Sequence, residues 1–267
     1  MTQPELHKVT SAGNQKIAPI CNALIGRQAH KPDICKMKIA VVAATPFELM
    51  HIEKQARQLP NFRDSVQVTF HTTGVGILAS TYQLTMLVKN LQPDIIIQAG
   101  IAGSFDVNLP IGNIVVVEKE YNGDVGVVEN DAFKDVFDMK LVEANEFPFE
   151  VKALVNPWLK NLNLLTFKEI NGVTVNEITT SHDRITQLKQ KYNCSIESME
   201  GAALHYVCLQ TNTPFMQVRA ISNYVGERNK TKWNIKLALD QLAHSTASLI
   251  QLLADENRSI RNEEINL

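Results

Sequence analysis

Cysteine is scarce. The 267 residues hold four, at Cys21, Cys35, Cys194 and Cys208, and no two share CxxC spacing. That excludes a dense disulfide scaffold or a thiolate zinc ribbon, and leads us to expect reduced, buried thiols in a cytoplasmic protein. Long apolar runs are missing too: none reaches the ~18 residues of a membrane span. Charge of one sign is not in excess, since 26 Lys and Arg meet 28 Asp and Glu for a net −2. An electrostatic case for a nucleic-acid or membrane partner is therefore absent. The histidines form no HExxH pair, and there is no GxSxG elbow or P-loop. The single GxG of "TTGVGIL" lacks the third glycine and the acidic partner of a dinucleotide fingerprint.

What is present is a chain 45% hydrophobic and 20% charged, ordinary for a soluble globular domain. Residues 1–36 show no sustained period and no signal-peptide h-region, and read as a poorly ordered extension. From Met37 the pattern sharpens. "MKIAVVAAT" (37–45), "DIIIQAG" (94–100), "GNIVVVEKEY" (112–121) and "PFMQVRAIS" (214–222) are short apolar, β-branched runs, the mark of strands buried on both faces. "VQVTFHTT" (66–73), "GVTVNEITT" (172–180) and "CSIESM" (194–199) complete the strands. Helical spacing follows at 46–59, 77–91, 201–211 and 233–254. The alternation predicts one α/β domain over 37–254 with a mostly parallel or mixed sheet. Segment 121–170 reads as irregular, and 255–267 as a frayed polar tail.

Ligands of open α/β sheets bind beyond the carboxyl ends of the strands. Glu48, Gly100 to Ser104, Glu177 to Thr180, Glu200 and Asn223 all fall there. Each has two readings. Thr45-Pro46-Phe47-Glu48 is a capping box, so Glu48 either caps its helix or serves as general base toward a water. Glu200, at a helix start, either meets the helix dipole or accepts hydrogen bonds from a diol, with Met199 as an apolar floor. Arg219 sits inside an apolar strand and needs a carboxylate partner, for structure or for chemistry. Asn223 either forms a turn or reads a ligand.

Together, "MKIAVVAATPFEL", "TGVGILAST", "PDIIIQAGIAGSF", "SMEGAA" and "VRAISN", in that order and spacing, resemble the nucleoside phosphorylase/nucleosidase superfamily. The likeness covers nearly all of 37–253 and is greatest to its hydrolytic branch, the methylthioadenosine/S-adenosylhomocysteine nucleosidases and futalosine hydrolases. The resemblance implies that Glu48 orients the attacking water and that Glu200 binds the ribose hydroxyls while Met199 packs on the sugar. It places Arg219 near the water and Glu48, and Asn223 at the base. Ile178 and Thr179 would touch the base through their backbones, and Gly100, Ile101 and Ala102 would line the site. It implies a three-layer αβα sandwich with a mixed central sheet, no metal or cofactor, and a homodimer or higher homo-oligomer.

Two departures refine this. Asn223 stands where adenine-releasing nucleosidases carry Asp. An amide can donate to N7 and to a 6-oxo oxygen but cannot protonate a base, which favours a hypoxanthine-like base, as in futalosine. Tyr224, Arg228 and Trp233 resemble the futalosine hydrolase version of this region, and Arg228 and Tyr224 are candidates for the 5′ substituent. The loop Ile101-Ala102-Gly103-Ser104 carries no charge for phosphate, and it replaces the nucleosidases' serine with Ile101. The expectation is therefore hydrolysis of futalosine to release hypoxanthine, in menaquinone biosynthesis. The alternatives are a methylthioadenosine nucleosidase, a purine nucleoside phosphorylase, or a non-catalytic nucleoside-binding relative.

Overall fold

A computed structural model of the protein describes residues 36–60 and 66–265. The expected N-terminal extension, with Cys21 and Cys35, lies outside them up to residue 35. Strand β1 (Met37–Ala43) is buried along nearly its whole length, as its apolar run requires. Helix α1 (Pro46–Ala56) follows, started by Thr45 and by Pro46 in its first turn. Then come β2 (Val66–Thr72), α2 (Ile77–Leu91), β3 (Ile95–Ser104) and β4 (Ile114–Asn122). The segment expected to be irregular holds a hairpin, β5 (Gly126–Glu129) with β6 (Ala132–Asp135), then β7 (Leu154–Val155) and the short α3 (Leu159–Leu162). The chain closes with β8 (Lys168–Thr174), α4 (His182–Tyr192), β9 (Ile196–Ser198), α5 (Gly201–Gln210), β10 (Phe215–Tyr224) and α6 (Ile235–Ile265).

The mixed sheet runs β2–β1–β3, with β1 parallel to both neighbours. From β3 it closes on itself. Strand β3 pairs with β10 in parallel along one edge and with β9 antiparallel at its carboxyl end. Strands β8 and β4 complete the circuit from β9 back to β10. Side chains alternate along a strand. Ala40, Val42 and Ile96 therefore share one face, where Leu84 and Leu87 of α2 and Leu204, Val207 and Cys208 of α5 bury them together with Phe215. Each large side chain so buried contributes roughly 1.5–3 kcal/mol. The opposite face is covered by α1 and α6, which pack on each other and on β1, β3 and β10. No helix among the described residues is long and apolar enough to cross a membrane.

Three expectations are corrected. The strand expected over 172–180 ends at Thr174, because the Asp124 carboxylate accepts from the backbone amides of Asn176 and Glu177 and draws the chain out of the sheet. Residues 101–104, expected as a loop, belong to β3, held by pairing of Gly100 to Ser104 with Arg219 to Tyr224. The last helix does not stop at 254 but continues to Ile265. Its polar turn forms side-chain links at helical spacing, such as Gln251 to Asp255 and Ser259 to the Asp255 carbonyl, the kind that sustain an exposed helix.

Candidate active site

The carboxyl ends of β1, β3 and β10 surround a cavity of about 340 Å³, within the range of small-molecule sites. Glu48, Ile101, Ala102, Ile178, Thr179, Met199, Glu200, Asn223 and Arg228 all line it. Gly100, Arg219 and Tyr224 do not. Tyr224 donates to the Val107 carbonyl at 3.3 Å, and Gly100 and Arg219 stand behind the lining.

Glu48 caps its helix and also faces the cavity. Oε2 accepts from Thr45 N (3.1 Å) and Thr45 Oγ1 (2.8 Å), completing the capping box. Oε1 reaches across to β3 and accepts from Ile101 N at 3.2 Å. A carboxylate clamped at both oxygens cannot swing, and only 7% of the residue is exposed, toward the cavity.

Glu200 is the N-cap residue of α5, yet its side chain makes no cap hydrogen bond. The carboxylate is turned away from its own helix. Oε1 accepts from Gly76 N at 3.1 Å, and Oε2 lies 3.7 Å from Arg219 Nη1. The GxG segment thus supplies a backbone donor to the site. Burial pushes the Glu200 carboxyl above its ordinary range, against the pull of Arg219 and the Gly76 amide.

Arg219 is 2% exposed. Its Nη2 donates to Gln98 Oε1 at 2.8 Å, and Gln98 Nε2 reaches the Glu200 carbonyl at 3.5 Å. Gly100 makes room for it: a Cβ there would stand 2.4 Å from Arg219 Nη1 and 3.3 Å from Glu48 Oε1. The guanidinium therefore lies close to both carboxylates. Sequence reasoning passed over Gln98, although a lone amide inside "DIIIQAG" is a polar group that must find a buried partner.

Asn223 is set by a bulge. The β10–β3 register shifts between Ile221 and Asn223, a device that re-aims side chains. Ser222 Oγ, 3.2 Å from the Ala102 carbonyl, lies 2.7 Å from Asn223 Oδ1, and Asn223 Nδ2 donates to the Tyr224 carbonyl at 3.0 Å. The amide is oriented, with one Nδ2 hydrogen left to give. At the cavity mouth the Arg228 guanidinium lies 5.6 Å from the Trp233 ring centroid.

Behind Glu200, Glu120 is fully buried. Its Oε1 accepts from Thr174 Oγ1 (2.9 Å), which in turn accepts from Ala202 N (2.8 Å) in the first turn of α5. Burial pushes its carboxyl up to about 7 from 4.5, against the Thr174 hydrogen bond and the charge of Arg219. A carboxyl held above its unfolded value stabilises the fold fully below that value, and the contribution is lost as pH rises through the folded one. From about pH 4.5 to above 7 the loss is ~3 kcal/mol, at 1.36 kcal/mol per unit. Urea unfolding at pH 5 and pH 8 is expected to show this fall in the wild type and a much smaller one in Glu120→Gln.

Fold and cavity together define the class: an α/β enzyme with a carboxylate-rich site at the carboxyl ends of its strands. The chain belongs to the phosphorylase superfamily, whose family model matches residues 38–255. A futalosine hydrolase of Thermus thermophilus is 29% identical over 192 residues, 71% of this chain and 82% of that protein. A 5′-methylthioadenosine/S-adenosylhomocysteine nucleosidase of Bacillus licheniformis is 25% identical over 236 residues, 81% of this chain and 98% of that protein. Among solved structures, a futalosine hydrolase of Helicobacter pylori superposes with a TM-score of 0.65 at 18% identity, covering 82% of this chain and 98% of that one. These relatives are nucleosidases, and this chain is an enzyme of the same N-glycosyl hydrolase kind.

Proposed function

We propose that the protein hydrolyses the N-ribosidic bond of futalosine, a 6-oxopurine nucleoside, releasing hypoxanthine in menaquinone biosynthesis. The observation that carries the base preference is the pinned amide of Asn223. Ser222 and the Tyr224 carbonyl fix its orientation, which leaves one Nδ2 hydrogen to donate to a bound purine. A donor suits the 6-oxo oxygen and N7 of hypoxanthine.

The glycosidic bond stretches toward an oxocarbenium ion. Asn223 stabilises the departing base, and Glu200 holds the ribose diol with Met199 against the sugar. Glu48 takes the proton of the attacking water, with its carboxylate held in place by Thr45 and Ile101. Arg219 is committed to Glu200 and Gln98, and β3 offers the cavity no cation at 101–104, so water suits the site better than phosphate. Arg228 at the mouth supplies a cation for the carboxylate at the far end of the substrate. The reading includes a cytoplasmic homo-oligomer, which light scattering of the purified protein checks.

The test is base release from futalosine, methylthioadenosine and inosine, side by side. Hypoxanthine from futalosine is expected to form fastest. In Asn223→Asp the ratio of futalosine to methylthioadenosine turnover is expected to fall at least ~10-fold, the scale on which one altered polar contact changes discrimination. Adenine release as the dominant wild-type reaction would refute the reading.

A further inference from the structure

Behind Glu200 lies a buried polar cluster that the mechanism does not use. Gln217 stands two residues before Arg219 in β10, on the same face of the strand. Glu120, Gln217 and His205 are all buried. Gly201 makes the space where α5 meets them: a Cβ there would stand 2.5 Å from Gln217 Nε2 and 2.5 Å from Glu120 Oε2. Gln217 reaches Glu120 on one side and His205 on the other. Four atoms here have no hydrogen-bond partner among the described residues: Glu120 Oε2, Gln217 Oε1, Gln217 Nε2 and His205 Nε2. Buried polar atoms left unpaired are costly.

One proton satisfies all four, and the order of assignment is forced. His205 Nδ1 lies 2.9 Å from the Leu154 carbonyl. A carbonyl only accepts, so Nδ1 carries the hydrogen. Burial pushes the His205 imidazole down to about 4, so the ring is neutral and Nε2 is bare. A bare Nε2 needs a donor, and the Gln217 amide is the group beside it. With its nitrogen toward Glu120, that amide would set its oxygen against Nε2. A half-turn of the amide plane removes the conflict, since neighbours decide which way an amide points. The Gln217 oxygen then faces Glu120 Oε2, and two oxygens can meet there only if the carboxyl carries a hydrogen. Glu120 Oε1 goes on accepting from Thr174 Oγ1, which accepts from Ala202 N in the first turn of α5.

We propose that Glu120, held as the neutral acid, is a positioning residue for Glu200: its proton closes the buried chain from His205 to Thr174 and leaves Arg219 to Glu200. The proposal rests on the ribose role given to Glu200 above. The groups around Glu120 supply the link. Arg219 on β10 attracts its charge, and Glu200 at the start of α5 repels it. Thr174 meets it from β8, His205 of α5 through Gln217, and Cys194 ahead of β9 feels its charge. Once the proton leaves, the Gln217 oxygen faces a bare oxygen, and two buried carboxylates share one guanidinium. Arg219 Nε is buried without a partner among the described residues, a donor that an ionised Glu120 draws away from Glu200. Burial pushes the Glu120 carboxyl up to about 7. The proton is therefore present below that pH and leaves as pH rises through it.

The test is KM at about pH 6 and pH 8 for wild type, Glu120→Gln and Glu200→Gln, on whichever of futalosine and methylthioadenosine the wild type turns over, so the base reading is not at stake. Glutamine at 120 copies the neutral acid: its oxygen accepts from Thr174 and its NH2 donates to Gln217. Wild-type KM is expected to rise about 10-fold between the two pH values, as the fraction with a neutral Glu120 falls by that factor. In Glu120→Gln, KM is expected to stay near the low-pH wild-type value at both. The variant then binds substrate better than wild type at the higher pH, which a merely structural acid would not give. Titration of the substrate or of Glu48 cancels in the ratio of the two proteins at each pH. A Glu120→Gln KM that climbs with pH as wild type does, or that exceeds wild type at both values, overturns the proposal. If that variant does not fold, the wild-type profile decides alone: a flat KM overturns the proposal. A flat wild-type profile beside a raised KM in Glu200→Gln refutes the part given to Glu120 and leaves the ribose reading standing. If Glu200→Gln leaves KM unchanged at the lower pH, the ribose reading itself has failed and the proposal falls with it.

Discussion

In Glu48→Gln, kcat for base release is expected to fall about 10²–10⁴-fold, the usual contribution of a positioned general base. The substitution isolates that role because the carboxylate does two jobs that glutamine splits. Glutamine is an accepted partner in a capping box, so α1 keeps its start, but its NH2 opposes the Ile101 amide that Glu48 Oε1 now satisfies, at a stability cost of about 1–3 kcal/mol. What disappears is the capacity to take a proton from water. KM is expected to change little, since the diol and the base are bound by Glu200 and Asn223. Steady-state kinetics with a parallel urea titration check both halves. A variant that keeps more than a tenth of wild-type kcat would return Glu48 to the capping role alone.

Arg219→Met is expected to destabilise the fold by about 3–5 kcal/mol, the cost of removing one partner from a buried charge pair. The guanidinium is 2% exposed and is bounded by Glu200, Gln98 and Gly100. Methionine fills much of the stem's volume, so packing is a smaller loss than the charge. Without the arginine, Glu200 stays buried beside Glu48 with its Oε2 unpaired, and Gln98 loses its donor. The double variant Arg219→Met, Glu200→Gln is expected to recover part of the loss, since no stranded charge remains. Urea midpoints for the wild type, both single variants and the double variant give this coupling. A loss under about 1 kcal/mol in the single variant would mean that water already screens the pair.

Where one physical cause dominated, the sequence was legible. The apolar β-branched runs of β1, β3, β4 and β10 had to be strands buried on both faces, and the structure places them so. The Thr45–Glu48 box read correctly as a cap because its donors and acceptors are local. What failed was non-local. The extension of β3 through 101–104 depends on β10 and β9 alongside it, and the early end of β8 depends on Asp124, some fifty residues away. The same holds in the site. Glu48 and Glu200 stood at element ends where pattern could find them. Gln98 sits inside a strand, and its importance comes from its partner Arg219, which only the fold brings near. The double reading of Glu200 could not be settled by position either; the structure shows its carboxylate turned from its own helix to Gly76.

The central claim is that a water activated by Glu48 cleaves the N-ribosidic bond of a 6-oxopurine nucleoside. The most direct measurement is turnover of futalosine in phosphate-free buffer made with ¹⁸O-labelled water, with both products identified by mass spectrometry. The account predicts free hypoxanthine and a sugar carrying one labelled oxygen at the anomeric position, at a rate that added phosphate does not raise. An unlabelled sugar phosphate formed only when phosphate is present would contradict it.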